Sequence, residues 1–410
     1  MKNARLVCTN CADEFPFGRG HPRCPLCREP LEVSYRRLEK SKFIGGDFIL
    51  ERYGNFLPFS KTFHELSLGE GNTPLLKSLK ISRQLGLKSI YFKNETQNPT
   101  WSFKDRGTLM GIQYAVANGL KRIGTVSTGN MGVSVAAYGA RAGLETFVLI
   151  SKGLPKEKIG PIGIYSPRLV VVDGDYGELY FRSLEIGERL GIYFINSDVP
   201  LRVEGSKTIA FEICEQLDFH IPDYIVVPVS AGGNFRGILK GFEELLQAGL
   251  IECIPKMIAA QASGCAPIAM AFEKDRSEIE QISDFHTIAH AIENPYPPSG
   301  NQVLRKLKEN GGIAERVSDG EILEAQALMA TEGIFGQPAA AVPLAAVTKL
   351  FRRGRLKSSD SVVCIVTGAG LKYTAALEDH HFEICSTPLE RLEDTLKGIT
   401  RFQANRVEGG

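Results

Sequence analysis

The sequence predicts an α/β fold with two open, twisted, mostly parallel sheets flanked by helices, preceded by a small separate segment. Helices and continuous apolar strands alternate from about residue 70 onward, as in parallel sheets that are covered on both faces. The strands are too numerous for one sheet of ordinary size, so we expect two. The first 40 residues differ, because cysteine pairs stand where apolar runs would otherwise build a core.

Composition and charge restrict the class of protein. The 410 residues include 48 Lys and Arg against 47 Asp and Glu, which gives a net charge of +1. This balance provides no overall field to attract nucleic acid, and no apolar run reaches the roughly 18 residues that cross a membrane. The start, MKNARLVCTNCADEF, lacks the apolar core of a secretory signal. We therefore predict a cytoplasmic protein with reduced thiols and with neither nucleic acid nor membrane as partner.

The N-terminal segment, residues 1–40, carries two CxxC pairs. Cys8 and Cys11 are followed, after twelve residues, by Cys24 and Cys27. This spacing brings four thiolates within reach of one tetrahedral Zn²⁺, and a metal would stabilise a segment with few large apolar residues. We predict a closed, structural zinc site, the alternative being four free thiols.

The elements that follow are predicted from apolar runs and helical periodicity, with Gly119 and Gly143 as helix ends. Strands are expected at 88–95, 122–128, 145–151, 168–174, 192–197, 223–230, 256–263 and 360–368, and helices at 102–119, 131–143, 178–191, 205–218 and 234–249.

Three of these strands end in small-residue turns, VSTGNMG (126–132), VPVSAGGNFRG (227–237) and IVTGAGLK (365–372). Ligands of open parallel sheets bind beyond the carboxyl ends of the strands, where glycine lets the backbone approach closely. The turn at 230–234 precedes a helix whose free N–H groups suit a phosphate. It contains neither a Walker motif nor GxGxxG.

The stretch NPTWSFKDRG (98–107) places Lys104 where a loop meets a helix. Pyridoxal phosphate accounts best for this lysine together with the glycine turns. Its phosphate needs a cradle without a metal, and its aldehyde needs a lysine amine that is neutral when it attacks.

Several segments resemble the threonine synthase family. They are GEGNTPLLK (69–77), NPTWSFKDRG, STGNMGVSVAAYGARAG (127–143), NSDVPLRVEGSKTIAFEICEQL (196–217), PVSAGGN (228–234) and VTGAGLK (366–372). The resemblance covers about residues 45–380 and implies fold type II of the pyridoxal-phosphate enzymes, the fold of tryptophan synthase β. The cysteine-rich start is similar to the zinc-ribbon-like start of a subset of that family.

The resemblance also implies a role for individual residues. Lys104 matches the catalytic lysine that binds the cofactor, and O-phospho-L-homoserine and water would be converted to L-threonine and phosphate by γ-elimination and β-addition. The matched cofactor-binding residues are Phe103, Asn130, Ser230, Ala231, Gly232, Gly233, Asn234 and Thr367, and the matched substrate-binding residues are Ser127, Thr128, Met131, Asn196, Ser197 and Arg202.

The expected domain organisation follows the same resemblance. A large domain would comprise 41–97 and 201–385, a small domain 98–200, and a tail 386–410. A homodimer is expected, since dimers are common in the family.

The match is incomplete near the substrate. Trp101 stands where the family commonly has glycine, and Ala369 stands where the common TGHG turn has histidine. Val199 replaces the asparagine before the proline of the NSxNPxR pattern, and the segment 158–167 has two prolines where the family usually has a longer helix. One alternative is therefore a related lyase with another substrate, such as a serine or threonine dehydratase, or an enzyme of β-replacement on O-phosphoserine such as cysteate synthase. A second alternative is a cofactor-binding or zinc-ribbon scaffold without catalysis.

Overall fold

Three sheets organise the part of the chain that the structure describes. This structure is a computed structural model, and it describes residues 4–17, 22–35, 38, 43–127, 129–153, 156–174, 176–380, 384–397 and 399. The chain divides into two compact units, Met1–Thr374 and Ala375–Gly410. Among the described residues, no helix has the length and apolarity needed to cross a membrane.

The strands and helices are numbered in chain order. The strands are β1 (Ala4–Cys8), β2 (Glu14–Pro16), β3 (Leu31–Tyr35), β4 (Leu75–Lys77), β5 (Ser89–Asn94), β6 (Arg122–Val126), β7 (Glu145–Ser151), β8 (Arg168–Val172), β9 (Tyr193–Phe194), β10 (Tyr224–Pro228), β11 (Lys256–Ala262), β12 (Ile313–Val317) and β13 (Ser361–Val366). The helices are α1 (Ile49–Arg52), α2 (Ile81–Leu85), α3 (Lys104–Ala117), α4 (Asn130–Arg141), α5 (Lys156–Gly163), α6 (Tyr176–Leu190), α7 (Pro200–Ser206), α8 (Thr208–Gln216), α9 (Gly233–Gln247), α10 (Pro267–Glu273), α11 (Gly300–Glu309), α12 (Asp319–Ala330) and α13 (Pro338–Arg352). Short 3₁₀ turns include Glu95–Gln97, Gly370–Lys372 and, in the second unit, Leu389–Arg391.

The largest sheet has six strands in the order β12-β11-β10-β13-β5-β4. All neighbours pair in parallel except β4, which runs antiparallel to β5 at the edge. Alternate residues of β10 enter two different cores: Ile225 and Val227 face one, and Val226 faces the other. Both faces of this sheet are therefore covered, which explains its continuous apolar strands.

A second sheet has four parallel strands in the order β8-β7-β6-β9. The prediction of two mostly parallel sheets is therefore confirmed. A third sheet, of three antiparallel strands in the order β2-β1-β3, lies in the N-terminal segment.

Some predicted elements were wrong in extent or were missed. The predicted helix at 205–218 is two helices, α7 and α8, and the strand at 192–197 is reduced to the two residues of β9. The elements that were not predicted are the N-terminal sheet, β4, β12 and the helices α1, α2, α5 and α10 to α13. The sequence of β12, IAERV, has no continuous apolar run, because Glu315 and Arg316 interrupt it. The strand accommodates these two charged residues because each forms an ion pair with a side chain of another element. The predicted boundaries of the large and small domains stay a prediction.

Candidate active site

The candidate site lies at the carboxyl ends of three neighbouring parallel strands, β10, β13 and β5. The loop after β5 leads to Lys104, the first residue of α3. Thr367 follows β13, and the turn Ser230–Gly232 follows β10. Because these strands are parallel and adjacent, the three loops share one edge of the sheet, where such folds bind ligands.

Backbone hydrogen bonds join the lysine loop to the end of β13. The amide of Phe103 donates to the carbonyl of Thr367 (3.1 Å), and the amide of Ala369 donates to the carbonyl of Trp101 (3.0 Å). Trp101 has φ +63°, in the left-handed region that glycine adopts most readily. This backbone conformation would suit the glycine that the resemblance leads one to expect at this position. The indole is 53% exposed.

Asp105, which follows the lysine, is buried and fixes the loop from within. It accepts hydrogen bonds from the Thr100 amide (2.7 Å), the Thr100 hydroxyl (2.6 Å) and the Ser134 hydroxyl of α4 (2.6 Å). Burial raises the pKa of Asp105, and the three donated hydrogen bonds oppose that rise. The carboxylate thus ties the start of α3 to both the preceding loop and α4.

The amine of Lys104 is adapted to lose its proton. Burial and, to a smaller extent, the positive charge of Arg202 together lower the pKa of Lys104 from 10.5 to about 7. The Nζ lies 4.4 Å from the centroid of the Phe103 ring. This lowered pKa favours the neutral amine near neutral pH, as a nucleophile or general base requires.

Arg202 contacts the backbone of Lys104 and the first turn of α3. Its Nη2 donates to the Lys104 carbonyl (3.1 Å) and its Nη1 to the Thr108 hydroxyl (2.9 Å), and the side chain is 3% exposed. Burial lowers the pKa of Arg202 to about 10, so it remains charged at neutral pH. Arg202 therefore acts on Lys104 in two ways: its hydrogen bond restrains the Lys104 backbone, and its positive charge lowers the pKa of the Lys104 amine.

The turn after β10 forms a tight cup at the N-terminus of α9. Gly232 has φ +99°, and a Cβ there would lie 2.9 Å from Ser299 Cβ. A Cβ at Gly233 would lie 2.5 Å from the carbonyl oxygen of Ser197. The amide group of Asn234 is buried, and neither its nitrogen nor its oxygen has a hydrogen-bond partner among the described residues. Ser230 and Ala231 complete the cup at its entry from β10.

Asn130 connects the four-stranded sheet to this edge. It is the first residue of α4, and its Nδ2 donates to Gln337 Oε1 (3.3 Å). A Cβ at Gly368 would lie 3.0 Å from the same Nδ2, so Asn130 reaches the turn after β13.

The other residues predicted to bind substrate differ in their burial and in the hydrogen bonds that their side chains already make. Ser127 is buried and its hydroxyl accepts from the Gly129 amide (3.2 Å), so it shapes the turn. Met131 lies buried in the first turn of α4. Thr128 lies outside the described residues.

Asn196 and Ser197 both follow β9, but only Asn196 is fully buried. Asn196 is fully buried and both ends of its amide are used, since Oδ1 accepts from the Val126 amide (3.0 Å) and Nδ2 donates to Ser183 Oγ (2.9 Å). Ser197 is partly exposed, and its carbonyl packs against Gly233. Asn196 therefore holds the loop in place, while the backbone of Ser197 lies against the cup at Gly233.

Sequence reasoning missed Asp105, Gln337 and Asp198 as residues that support the site. Asp105 lies within the NPTWSFKDRG motif, so its position next to Lys104 was an available signal. Gln337 and Asp198 gave no signal, because their partners are distant in sequence.

The four predicted zinc ligands come together in the N-terminal segment. Their sulfur atoms all lie within 4.8 Å of one another, with 3.4 Å between Cys8 and Cys27 and 3.6 Å between Cys11 and Cys24. A ZnS₄ tetrahedron with bonds of about 2.3 Å has edges of about 3.8 Å. The amides of Asn10 and Cys11 point at Cys8 Sγ (3.4 and 3.5 Å), as they would towards a thiolate.

Comparison with known proteins identifies the family. Residues 66–368 match the model of the pyridoxal-phosphate dependent enzymes. Threonine synthase of Methanocaldococcus jannaschii is 41% identical over 89% of this chain and 92% of its own, and that of Methanosarcina acetivorans is 34% identical over 93% and 95%.

Solved structures agree on the fold. Maize serine racemase matches with a TM-score of 0.61 at 20% identity, covering 82% of this chain and 94% of that protein. Threonine deaminase isoform 2 of Solanum lycopersicum matches with a TM-score of 0.61 at 23% identity, covering 75% and 86%. The chain has the α/β fold of fold type II, and it belongs to the threonine synthase family of pyridoxal-phosphate dependent enzymes.

Proposed function

We propose that this protein is a threonine synthase, which converts O-phospho-L-homoserine and water to L-threonine and phosphate. The observation that carries the proposal is the amine of Lys104, whose pKa is lowered to about 7 at the sheet edge where the glycine cup also lies. The similarity to threonine synthases over about nine tenths of the chain supports the choice of reaction.

The residues of the cup fit the phosphate of pyridoxal phosphate. Gly232 and Gly233 leave no side chain at the first turn of α9, so backbone N–H groups can face an anion. The buried amide of Asn234 has no partner among the described residues, and a ligand phosphate would supply an acceptor for its nitrogen. Asn130 and Thr367 are assigned to the ring hydroxyl and ring nitrogen, and Phe103 to the ring face.

The chain's own residues then perform the proton transfers. When bound, pyridoxal phosphate supplies an electron-withdrawing ring next to the α-carbon of the amino acid. Lys104 removes the α-proton and then a β-proton, and returns protons as the product forms. A pKa near 7 lets one amine act as both base and acid. Arg202 donates to the Lys104 carbonyl, and Asp105 ties the start of α3 to Thr100 and Ser134, so both residues restrain the backbone at Lys104.

The substrate-binding end is assigned to Ser127, Thr128 and Met131 for the carboxylate, and to Ser197 and Arg202 for the phosphate. Arg202 is a buried cation whose hydrogen bonds to side chains and backbone of the described residues go to the Thr108 hydroxyl and the Lys104 carbonyl, not to a carboxylate. Asn196 supports this end indirectly, because its amide is already used.

The four cysteines of the N-terminal segment are assigned to one structural Zn²⁺. The separations of their sulfur atoms match a tetrahedral site, and four protein ligands leave no open position for catalysis. A cytoplasmic location and a homodimer stay predictions.

A substrate panel tests the reaction. The holoenzyme is given O-phospho-L-homoserine, O-phosphoserine, serine and threonine, with phosphate, ammonia and threonine measured. Phosphate and threonine should form in equal amounts from O-phospho-L-homoserine alone. Turnover of O-phosphoserine, or ammonia release from serine or threonine as the main activity, would instead support the related lyase.

A further inference from the structure

The four-cysteine segment is joined to the active-site edge by an ion pair between Arg23 and Asp198. Arg23 immediately precedes Cys24, and its Nη2 lies 2.7 Å from Asp198 Oδ2, with side chains 14% and 2% exposed. The same Nη2 donates to the carbonyl of Pro298 (2.7 Å), while Nη1 donates to the carbonyl of Arg28 within the segment (2.9 Å). The guanidinium is thus fixed from both sides.

Asp198 is a junction between several elements. It follows Ser197 and occupies the variable position of the NSxNPxR pattern. Besides Arg23, its carboxylate accepts from the Ser299 hydroxyl (2.7 Å) and from the hydroxyl of Tyr180 on α6. Arg23 also packs over the rings of Tyr180 and Phe181, at 5.9 and 5.1 Å.

The same junction reaches the glycine cup. The amide of Ser299 donates to the carbonyl of Ala231 (3.1 Å), and a Cβ at Gly233 would lie 3.2 Å from the Cα of Asp198. Arg236 of α9 donates to the Asp198 carbonyl (3.3 Å) and to the Ser299 hydroxyl (3.0 Å). A shift of Asp198 therefore moves the groups that shape the cup.

We propose that Arg23 is a positioning residue through which the four-cysteine segment holds the phosphate cup in its binding geometry. Without Arg23, a buried carboxylate loses its cationic partner and is driven towards water, which displaces Ser197 and the backbone against Gly233. Loss of the metal would release Arg23 with the segment and have the same effect. The proposal rests on the proposed cofactor site but not on the identity of the amino-acid substrate.

The test uses the full-length apo-protein, titrated with pyridoxal phosphate and followed by visible absorbance. Arg23→Met should raise the Kd for the cofactor about tenfold or more, since the pair is charged and buried. Arg23→Lys should restore part of the affinity. With Asp198→Asn already present, adding Arg23→Met should change the Kd less than twofold, because the pair is no longer charged.

Arg305→Met is the matched control. Arg305 Nη2 also docks the segment, 2.9 Å from Glu29 Oε2, but has no contact with Asp198. It should change the Kd less than twofold. Removing zinc from the wild type with a chelator should raise the Kd as Arg23→Met does, with circular dichroism showing that the helices persist.

Three results would overturn the proposal: an unchanged Kd in Arg23→Met, an equal rise in Arg305→Met, or an unchanged Kd after metal removal. A wild-type protein that binds no pyridoxal phosphate would refute the proposed function itself.

Discussion

Arg202 should control the protonation of Lys104, and replacing it by methionine tests this directly. The pKa of Lys104 falls from 10.5 to about 7, with burial as the larger cause and Arg202 as the smaller. Arg202 therefore accounts for less than half of that fall. A contribution of about one pKa unit, or about 1.4 kcal/mol, lies within that bound. We expect Arg202→Met to raise the pKa of Lys104 to about 8.

The assay is the rate of pyridoxal phosphate association with apo-protein as a function of pH, because only the neutral amine reacts. At pH 7 the neutral fraction should fall from about one half to about one tenth, which slows association about fivefold. Arg202→Lys is the control: it disturbs the same hydrogen bonds but keeps the charge, so its apparent pKa should stay near 7. An apparent pKa that is the same in Arg202→Met as in the wild type would refute the reasoning.

Four further outcomes are expected. The free energy of unfolding should be about 1 kcal/mol higher for Trp101→Gly than for Trp101→Ala, because φ +63° is unfavourable for alanine. Equal free energies of unfolding in denaturant titrations would contradict this. Gly233→Ala should raise the cofactor Kd at least tenfold, because its Cβ would lie 2.5 Å from a carbonyl oxygen, whereas Gly320→Ala, with open space around it, should not. The apo-protein should gain stability as the pH rises from about 7 towards 10.5, since the unfolded state binds the proton of Lys104 more tightly, and Lys104→Met should reduce this gain in denaturant titrations. Cys24→Ser should lower bound zinc from one per chain to near zero by elemental analysis, and full retention would exclude the four-cysteine site.

Much of the fold could be predicted because its signals are local. The apolar strands β10 and β13 are buried on both faces, so they read as continuous hydrophobic runs. The glycine turn before α9 was also visible, since close packing at Gly233 requires that residue type. In contrast, β12 contains paired charges that disguise a buried strand.

The arrangement around the site depends on pairs that are distant in sequence. Arg23 and Asp198 are 175 positions apart, and no periodicity links them. The amide of Asn196 looked available for a phosphate, but its partners on β6 and α6 become visible only once the chain is folded. Motifs therefore predict which residues react, and the tertiary structure shows which of their polar groups are already bonded within the protein.

The central claim is that Lys104 carries pyridoxal phosphate covalently. The most direct measurement is borohydride reduction of the holoenzyme, followed by digestion and mass spectrometry of the peptides. The pyridoxyl mass should be found on the peptide that contains Lys104, and on no other lysine. A label on another lysine, such as Lys372, whose Nζ donates to the carbonyl of Thr100 (2.7 Å), or a holoenzyme that takes up no label, would contradict the account.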